Sequence, residues 1–309
     1  MSLPFTLYQL RILRAIVTEK SFTRAAEILF ISQPTLSKQI KTLEKQLGIK
    51  LIIRIKNEIS LTDAGTVFLQ YSERILGLCE ESCRALNDFK NGDRGNLFIG
   101  ASQTTGTYLM PRILALFIQN YPQINLNLHV DSTRTIVQKV LNRQIDIAIV
   151  GGRIPKKLNK ILNVEAFVKD ELILILPKSH PFTFNKKKLI KKDDLYHLSF
   201  IVLNSTSSIR KFIDNVLTKN KIETSQFNIV MELNSIEAIK TAVSLGLGAA
   251  FISSSAIENE KRLKTIEIVK IENITINRTL SIISNSQCYK SKAFEIFYKR
   301  LWDLKNFNF

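Results

Sequence analysis

Gln33, Thr35, Lys38, Gln39 and Lys41 recur along one face of a segment whose opposite face is Leu36, Ile40, Leu43 and Leu47. Amides, hydroxyls and ammonium groups in that arrangement suit the edges of bases and the oxygens of phosphates. Solvation also accounts for a single polar helix face, so this one needs its neighbours before it points to DNA. A second set of chemistry-bearing residues is rich in hydroxyls. Ser102-Gln103-Thr104-Thr105, Asp131-Ser132-Thr133-Arg134 and Asn204-Ser205-Thr206-Ser207 each stand where a helix should begin. Helix N-termini offer free N–H groups and a positive dipole end to an anion, although Ser and Thr are also ordinary caps. If the three segments converge they border a ligand cleft. Arg134 would add a cation there, Gly151-Gly152 would let backbone approach the ligand, and Asn234 would either cap its helix or border the same cleft.

No catalytic constellation accompanies these residues. His129, His180 and His197 are scattered without a helix-spaced partner, and no GxSxG elbow, P-loop or GxGxxG turn is found. Gly246-Leu247-Gly248-Ala249-Ala250 lacks the final glycine of the last of these. Cys79, Cys83 and Cys288 are odd in number, form no CxxC pair and have no histidine nearby, which argues against disulfides and structural zinc. Cys79 and Cys83 lie one helical turn apart, where packing as small hydrophobes explains them. The expectation is a protein that is not an enzyme and needs neither metal nor cofactor.

The elements that must position both sets follow from length and periodicity. A chain of 309 residues exceeds the size at which one core stops growing, so two or more structural units are expected, and a 45% hydrophobic fraction can fill them. A net charge of +17 and a pI near 9.8 suit a polyanionic partner through counterion release. Lys, Ile and Asn abound throughout, however, as the codons of an A/T-rich genome dictate, so charge alone decides nothing. The first twenty residues interleave Arg11, Arg14, Glu19 and Lys20 among apolar positions, unlike a signal peptide, and no apolar run approaches the roughly 18 residues of a membrane span. A soluble chain that stays where it is made, with no membrane partner, is expected.

Leu10, Leu13, Ile16 and Val17 mark a first helix that Lys20-Ser21 interrupts, and Ser21 caps a short second helix carrying Ala25, Ala26 and Leu29. Ser32 caps a third, with Pro34 in its first turn and Gly48 at its end. Residues 51–61 form two β-rich runs around a polar tip, a hairpin wing on which Arg54 and Lys56 either meet the DNA backbone or groove or are simply solvated. In a helix-turn-helix the third helix enters the major groove by its N-terminal turn, which assigns base readout to Gln33, Thr35 and Lys38 and phosphate contact to Lys41.

Four ordered blocks carry a family resemblance: Ser21-Phe22-Thr23-Arg24-Ala25-Ala26, Ser32-Gln33-Pro34-Thr35-Leu36-Ser37, Leu43-Glu44-Lys45-Gln46-Leu47-Gly48 and Leu61-Thr62-Asp63-Ala64-Gly65. The sequence resembles the LysR-type transcription regulators. That likeness implies double-stranded DNA as partner and adds Ser21, Thr23, Arg24, Ser32, Pro34, Ser37 and Gln39 to the DNA-facing set. Ile52 stands where the family usually has Phe, a change expected to affect only how the wing packs.

Thr62 can cap a long helix over which Phe68, Tyr71, Ile75, Leu78, Ser82, Leu86 and Phe89 form a heptad-like seam. A lone helix cannot bury that seam, so a second copy of the chain is the economical partner. The resemblance implies the same homodimer and a further step to homotetramers, with RNA polymerase as an additional partner of a transcription regulator. Asn91-Gly92-Asp93-Arg94-Gly95 then breaks the helix. The resulting layout is a winged helix-turn-helix over 1–61, a dimerisation helix over 62–91 and an effector-binding unit over 95–309.

In that last unit β-rich runs alternate with helical ones as βαβαβ, the first helix over about Thr107–Asn120, then again through Glu171–Leu176, Leu198–Val202, Ser208–Lys219, Phe227–Leu233, Ile236–Leu245 and Ala249–Ser253. Two α/β lobes follow. The resemblance implies a periplasmic-binding-protein-like arrangement, with one lobe over about 96–166 and 270–309 and the other over about 167–269. Crossovers near Val164–Lys169 and near Glu267–Glu272 would form the hinge. In this arrangement Ser102, Gln103, Thr104, Ser132, Thr133, Arg134, Gly151, Gly152, Asn204, Ser205, Ser207 and Asn234 border a cleft for a small-molecule effector.

Gly100-Ala101-Ser102-Gln103-Thr104-Thr105-Gly106-Thr107-Tyr108-Leu109-Met110-Pro111, Asp170-Glu171-Leu172, His180-Pro181-Phe182 and the run from Glu232 to Lys240 are similar to the branch of the family that regulates RuBisCO operons in cyanobacteria and red-lineage plastids. This similarity implies RuBisCO genes as target and a phosphorylated or nicotinamide metabolite as effector. A plastid genome would encode such a Lys/Ile/Asn-rich chain, placing it in the stroma; a low-GC bacterial cytoplasm gives the same composition.

Overall fold

A computed structural model describes residues 3–55, 58–91, 95–184 and 188–304. Two compact units emerge, one of residues 1–87 with 142–144, the other of 88–141 with 145–309.

The first unit is a helical head built by local signals. Thr6 and Gln9 form a reciprocal capping box that starts α1 (Leu7–Glu19), and Lys20 ends it in the left-handed region at φ 49°. Ser21 accepts the Arg24 amide to cap α2 (Phe22–Ile28). Ser32 accepts the Thr35 amide to cap α3 (Gln33–Leu47), which Gly48 closes at φ 68°. Leu36, Ile40 and Leu43 of α3 are buried with Ile12, Leu13, Ile16, Ala25 and Ala26, each large side chain contributing roughly 2 kcal/mol. The wing strands β1 (Ile52–Ile55) and β2 (Glu58–Leu61) pair antiparallel, Ile52 opposite Leu61. Ile52 itself is half-buried against the head core beside Ile59 and Leu61.

Thr62 caps α4 (Asp63–Asn91) by accepting the Gly65 amide while its hydroxyl donates to the Lys50 carbonyl. The seam expected on α4 divides. Phe68 turns into the head, edge-on to Phe5 at 5.5 Å, whereas Tyr71, Leu78, Leu86 and Phe89 are exposed in the single chain.

The second unit is built on one mixed eight-stranded sheet and a separate parallel pair of strands, Ser199–Leu203 with Asn228–Leu233. Its first half runs β3 (Asn96–Ser102), α5 (Met110–Asn120), β4 (Asn125–Asp131), α6 (Thr133–Leu141) and β5 (Ile147–Val150), with β3 parallel to both neighbours. The helix expected from Thr107 opens earlier, as a single π-helical turn over Thr105–Leu109. The next strand, β6 (Leu162–Pro177), is far longer than its predicted stretch of Glu171 to Leu176. After β7 (Leu189–Ile190) come β8 (Ser199–Leu203), α7 (Ser208–Lys219), β9 (Asn228–Leu233), α8 (Ile236–Ser244), β10 (Ala250–Ser253), α9 (Glu258–Leu263), β11 (Ile266–Ile271), β12 (Ile276–Asn285) and α10 (Lys292–Leu304).

The order β4-β3-β5-β12-β6-β11-β7, with β10 also on β6, shows how the lobes join. β12 pairs with β5 and with the length of β6 from Leu162 to Leu172, while β10 and β11 hold β6 from Leu172 to Pro177. The second crossover therefore lies on β12 around its bulge between Leu280 and Ser281, not at Glu267–Glu272, where β11 is an ordinary strand of the second lobe. Among the described residues three core clusters follow in this unit, one around Phe117, Phe167, Phe294 and Phe297, one around Phe200, Leu174 and Leu217, and a smaller one around Ile136, Val140, Ala148 and Ile283.

Candidate nucleic-acid interface and ligand cleft

On the head, the N-terminal turn of α3 presents Ser32, Pro34 and Thr35 to solvent and the next two turns present Lys38 and Lys41, with Thr23 and Arg24 of α2 exposed as well. The turn is pre-organised: the Ser32 and Thr35 hydroxyls lie 2.7 Å apart and Gln33 donates its amide to Ser37 at 3.0 Å. Gln39 departs from its expected role. It is half-buried, its amide oxygen taking the Gln9 amide at 3.4 Å, so it steadies α3 on α1. Arg54 lies on β1 opposite Ile59. Lys56 lies outside the described residues.

Sequence reasoning missed Glu44. Its carboxylate is 7% exposed and accepts the Leu51 and Ile52 amides at 2.9 and 3.2 Å and the Lys50 ammonium at 2.8 Å, fastening the start of the wing to α3. Burial alone would raise its pKa, but Lys50 and the two amides outweigh it and hold the carboxyl below its ordinary 4.5. A carboxyl with a depressed folded pKa stabilises fully above the unfolded value and loses that contribution as pH falls through the folded one. Glu44→Gln is expected to lower head stability at pH 7 and to flatten its decline below about pH 4.5. Urea midpoints from pH 7 downward, followed by circular dichroism, check this; parallel curves for the two proteins would refute it.

In the second unit the end of β5 gathers part of the predicted cleft set, Ser102 and Thr133 lying against Gly151 and Gly152. Ser102, Thr104 and Thr133 are buried. The Ser102 hydroxyl accepts the Gly151 amide at 3.2 Å. A Cβ on Gly152 would stand 2.6 Å from the Thr133 hydroxyl of one lobe and 3.0 Å from Ser208 Cβ of the other, so this glycine is where the lobes meet. Ser207 caps α7 beside it, and Asn204 closes the preceding turn by accepting the Thr206 hydroxyl and the Ser207 amide. Ser132 caps α6. Gln103, Arg134, Ser205 and Asn234 are exposed, and Ser235, not Asn234, caps α8.

Two charges that sequence reasoning left aside lie at the same place. Arg278 of β12 donates its Nε to Asp170 of β6 at 2.7 Å, and Asp170 also accepts the Ser253 hydroxyl at 2.5 Å. The only sequence signal was a pair of charges inside β-rich runs. Among the described residues no group of His, Cys, Asp or Glu could hold a metal ion, and no helix is long and apolar enough to cross a membrane.

A winged helix-turn-helix head with a bare polar recognition helix, carried with a two-lobed α/β unit that has hydroxyls and glycines at its inter-lobe seam, defines a ligand-responsive DNA-binding regulator. Residues 7–66 match the family described as bacterial regulatory helix-turn-helix protein, lysR family, and residues 90–304 match the LysR substrate binding domain. The chain belongs to the LysR family of transcription regulators, and it is not an enzyme. It is 71% identical over 306 residues, 99% of each chain, to a protein of the alga Trieres chinensis described as a probable RuBisCO transcriptional regulator. CbnR, a LysR family transcriptional regulator, shares its fold with a TM-score of 0.69 at 20% identity, covering 97% of this chain and 99% of that one. The regulatory domain of Synechocystis CcmR, solved in complex with 2-PG, matches with a TM-score of 0.61 at 26% identity over 69% of this chain and 99% of that one.

Proposed function

We propose that this chain regulates transcription of RuBisCO genes in an algal plastid, binding their upstream DNA as a homodimer that pairs into tetramers and answering to a small metabolite held between its lobes. The observation that carries the reading is the exposed, pre-organised start of α3 on a chain that is 71% identical to a probable RuBisCO transcriptional regulator. The exposed Tyr71, Leu78, Leu86 and Phe89 stripe on α4 supports the dimer, because apolar side chains at that spacing gain most by facing a second copy. Cleft closure by ligand would alter how dimers pair, and so the spacing or bend of two half-sites and the access of RNA polymerase. The CcmR complex supports a metabolite effector, requiring no cofactor, and makes 2-PG the first compound to try.

Footprinting on the DNA upstream of the RuBisCO genes tests the reading. A protected site whose extent or affinity changes with 2-PG or another metabolite is expected; absence of specific protection there would reject the target. On that DNA, Gln33→Ala should relax sequence choice, losing about tenfold on the specific site and little on random DNA. Lys41→Ala should weaken both equally and reduce the salt slope by about one. Equal losses on both DNAs for both variants would reject this division of roles.

A further inference from the structure

We propose that Arg278 is the receptor for an oxyanion, a carboxylate or phosphate group carried by the effector, with Thr104 and Thr133 as its hydroxyl partners. The inference rests on the effector reading above and says which atoms of this chain recognise the ligand.

Arg278 and Asp170 have side chains only 3% and 5% exposed, yet the guanidinium uses just its Nε on the carboxylate. Its Nη2 is buried and has no partner. A guanidinium can only donate, and a buried charged donor without an acceptor carries a penalty of about 1–3 kcal/mol or more. The group is held where a ligand could satisfy it. Its Cζ and Nη1 lie 2.9 Å from the position a Gly151 Cβ would take, so only a glycine at the end of β5 lets the guanidinium lie against the backbone there.

Two further orphans belong to the same region. Among the described residues five buried side-chain polar atoms lack partners, and three of them are Arg278 Nη2, Thr104 Oγ1 and Thr133 Oγ1. Thr133 touches the Gly152 position, one residue along from Gly151, and Thr104 follows Ser102, whose hydroxyl holds the Gly151 amide. Thr133 opens α6 and Ser208 opens α7, helices of 9 and 12 residues whose first N–H groups and positive dipole ends add donors on both lobes. Asp170 neutralises the Arg278 charge and fixes its plane, so recognition comes from directed donors plus two helix ends. A ligand that meets so many donors must be rich in acceptors, and a planar or tetrahedral oxyanion is the group that a guanidinium fork fits.

The full chain is to be titrated separately with inorganic phosphate and with malonate up to tens of millimolar, reading thermal stability and calorimetric affinity. Stabilisation of the wild type by one or both is expected; phosphate alone assigns a phosphate-bearing ligand, malonate alone a carboxylate. Arg278→Lys keeps a cation beside Asp170 but removes the Nη2 arm, and affinity should fall at least tenfold. Thr133→Val leaves the ion pair intact and should weaken binding about fivefold, the loss of one hydrogen bond. No stabilisation by either anion, or equal affinity in Arg278→Lys, overturns the proposal. Footprints separate the two ideas. A metabolite-dependent footprint unchanged in Arg278→Lys would remove Arg278 and leave the effector reading standing. Anion binding that needs Arg278, with footprints deaf to every metabolite, would leave the site and remove the effector reading.

Discussion

Gly65→Ala is expected to destabilise the DNA-binding head by about 3 kcal/mol, a large share of what a domain of this size possesses. Gly65 lies in the first turn of α4, where its amide is held by the Thr62 hydroxyl at 2.8 Å. A Cβ there would stand 2.0 Å from the Leu51 carbonyl oxygen, which already accepts the Thr62 amide. Backbone of that kind cannot swing aside as a flexible side chain would, so either the helix start or the base of the wing must move. Because the same carbonyl joins the wing to α4, DNA binding should be lost together with the fold. Helical circular dichroism against urea, with DNA affinity measured alongside, checks this. An unchanged midpoint would mean that the close approach relaxes at no cost.

Lys240→Met is expected to cost the second unit about 4 kcal/mol, as for a buried ion pair deprived of one partner. The ammonium of Lys240 is 4% exposed, lies 3.0 Å from both Glu237 and Glu260, and donates to the Ala256 carbonyl at 2.9 Å. Glu260 is itself mostly buried, and its second oxygen already has no partner, so removing the lysine leaves a carboxylate with no compensation. The cluster also ties the lobes. Tyr108, from the first lobe, lies over the ammonium with 5.0 Å to the ring centroid and donates to Glu237 of the second lobe at 2.5 Å. Burial and then the Glu237 contact push the Tyr108 hydroxyl far above its ordinary pKa of 10, so it remains a donor at any physiological pH. Adding Glu260→Gln should recover about 2 kcal/mol, since the buried charge goes with its partner. A double variant no more stable than the single one would show that lost packing, not the orphaned charge, is responsible.

The head was legible to the residue in places. Ser21, Ser32 and Thr62 cap the helices they were expected to cap, and Gly48 ends α3, because caps and left-handed stops act within four residues of where they stand. The βαβαβ half of the second unit and the α7 bounds were legible for the same reason, since period-two and period-3.6 patterns are local. Long-range effects blurred the rest. Gln39 reads as a DNA-facing amide until α1 brings Gln9 against it, and the crossover moved from Glu267–Glu272 to β12 because antiparallel pairing to β6 runs from Ile276 to Asn285 through a bulge between Leu280 and Ser281.

What the sequence determined alone is the kind of protein this is: four ordered blocks, three capped helices and a polar face that belongs to a reading head, with no catalytic set. What only the tertiary structure decided is how its cleft can recognise anything. Arg278 finds Asp170 across 108 positions and Ser253 reaches the same carboxylate across 83, through the register of β12 and β10 on one long strand. Strand register is set by the burial of whole faces, not by the residues it happens to align, so no local pattern announces such a pair. The three hydroxyl-rich helix starts were visible as caps, and only the fold separated the buried Thr104 and Thr133 from the exposed Gln103, Arg134 and Asn234.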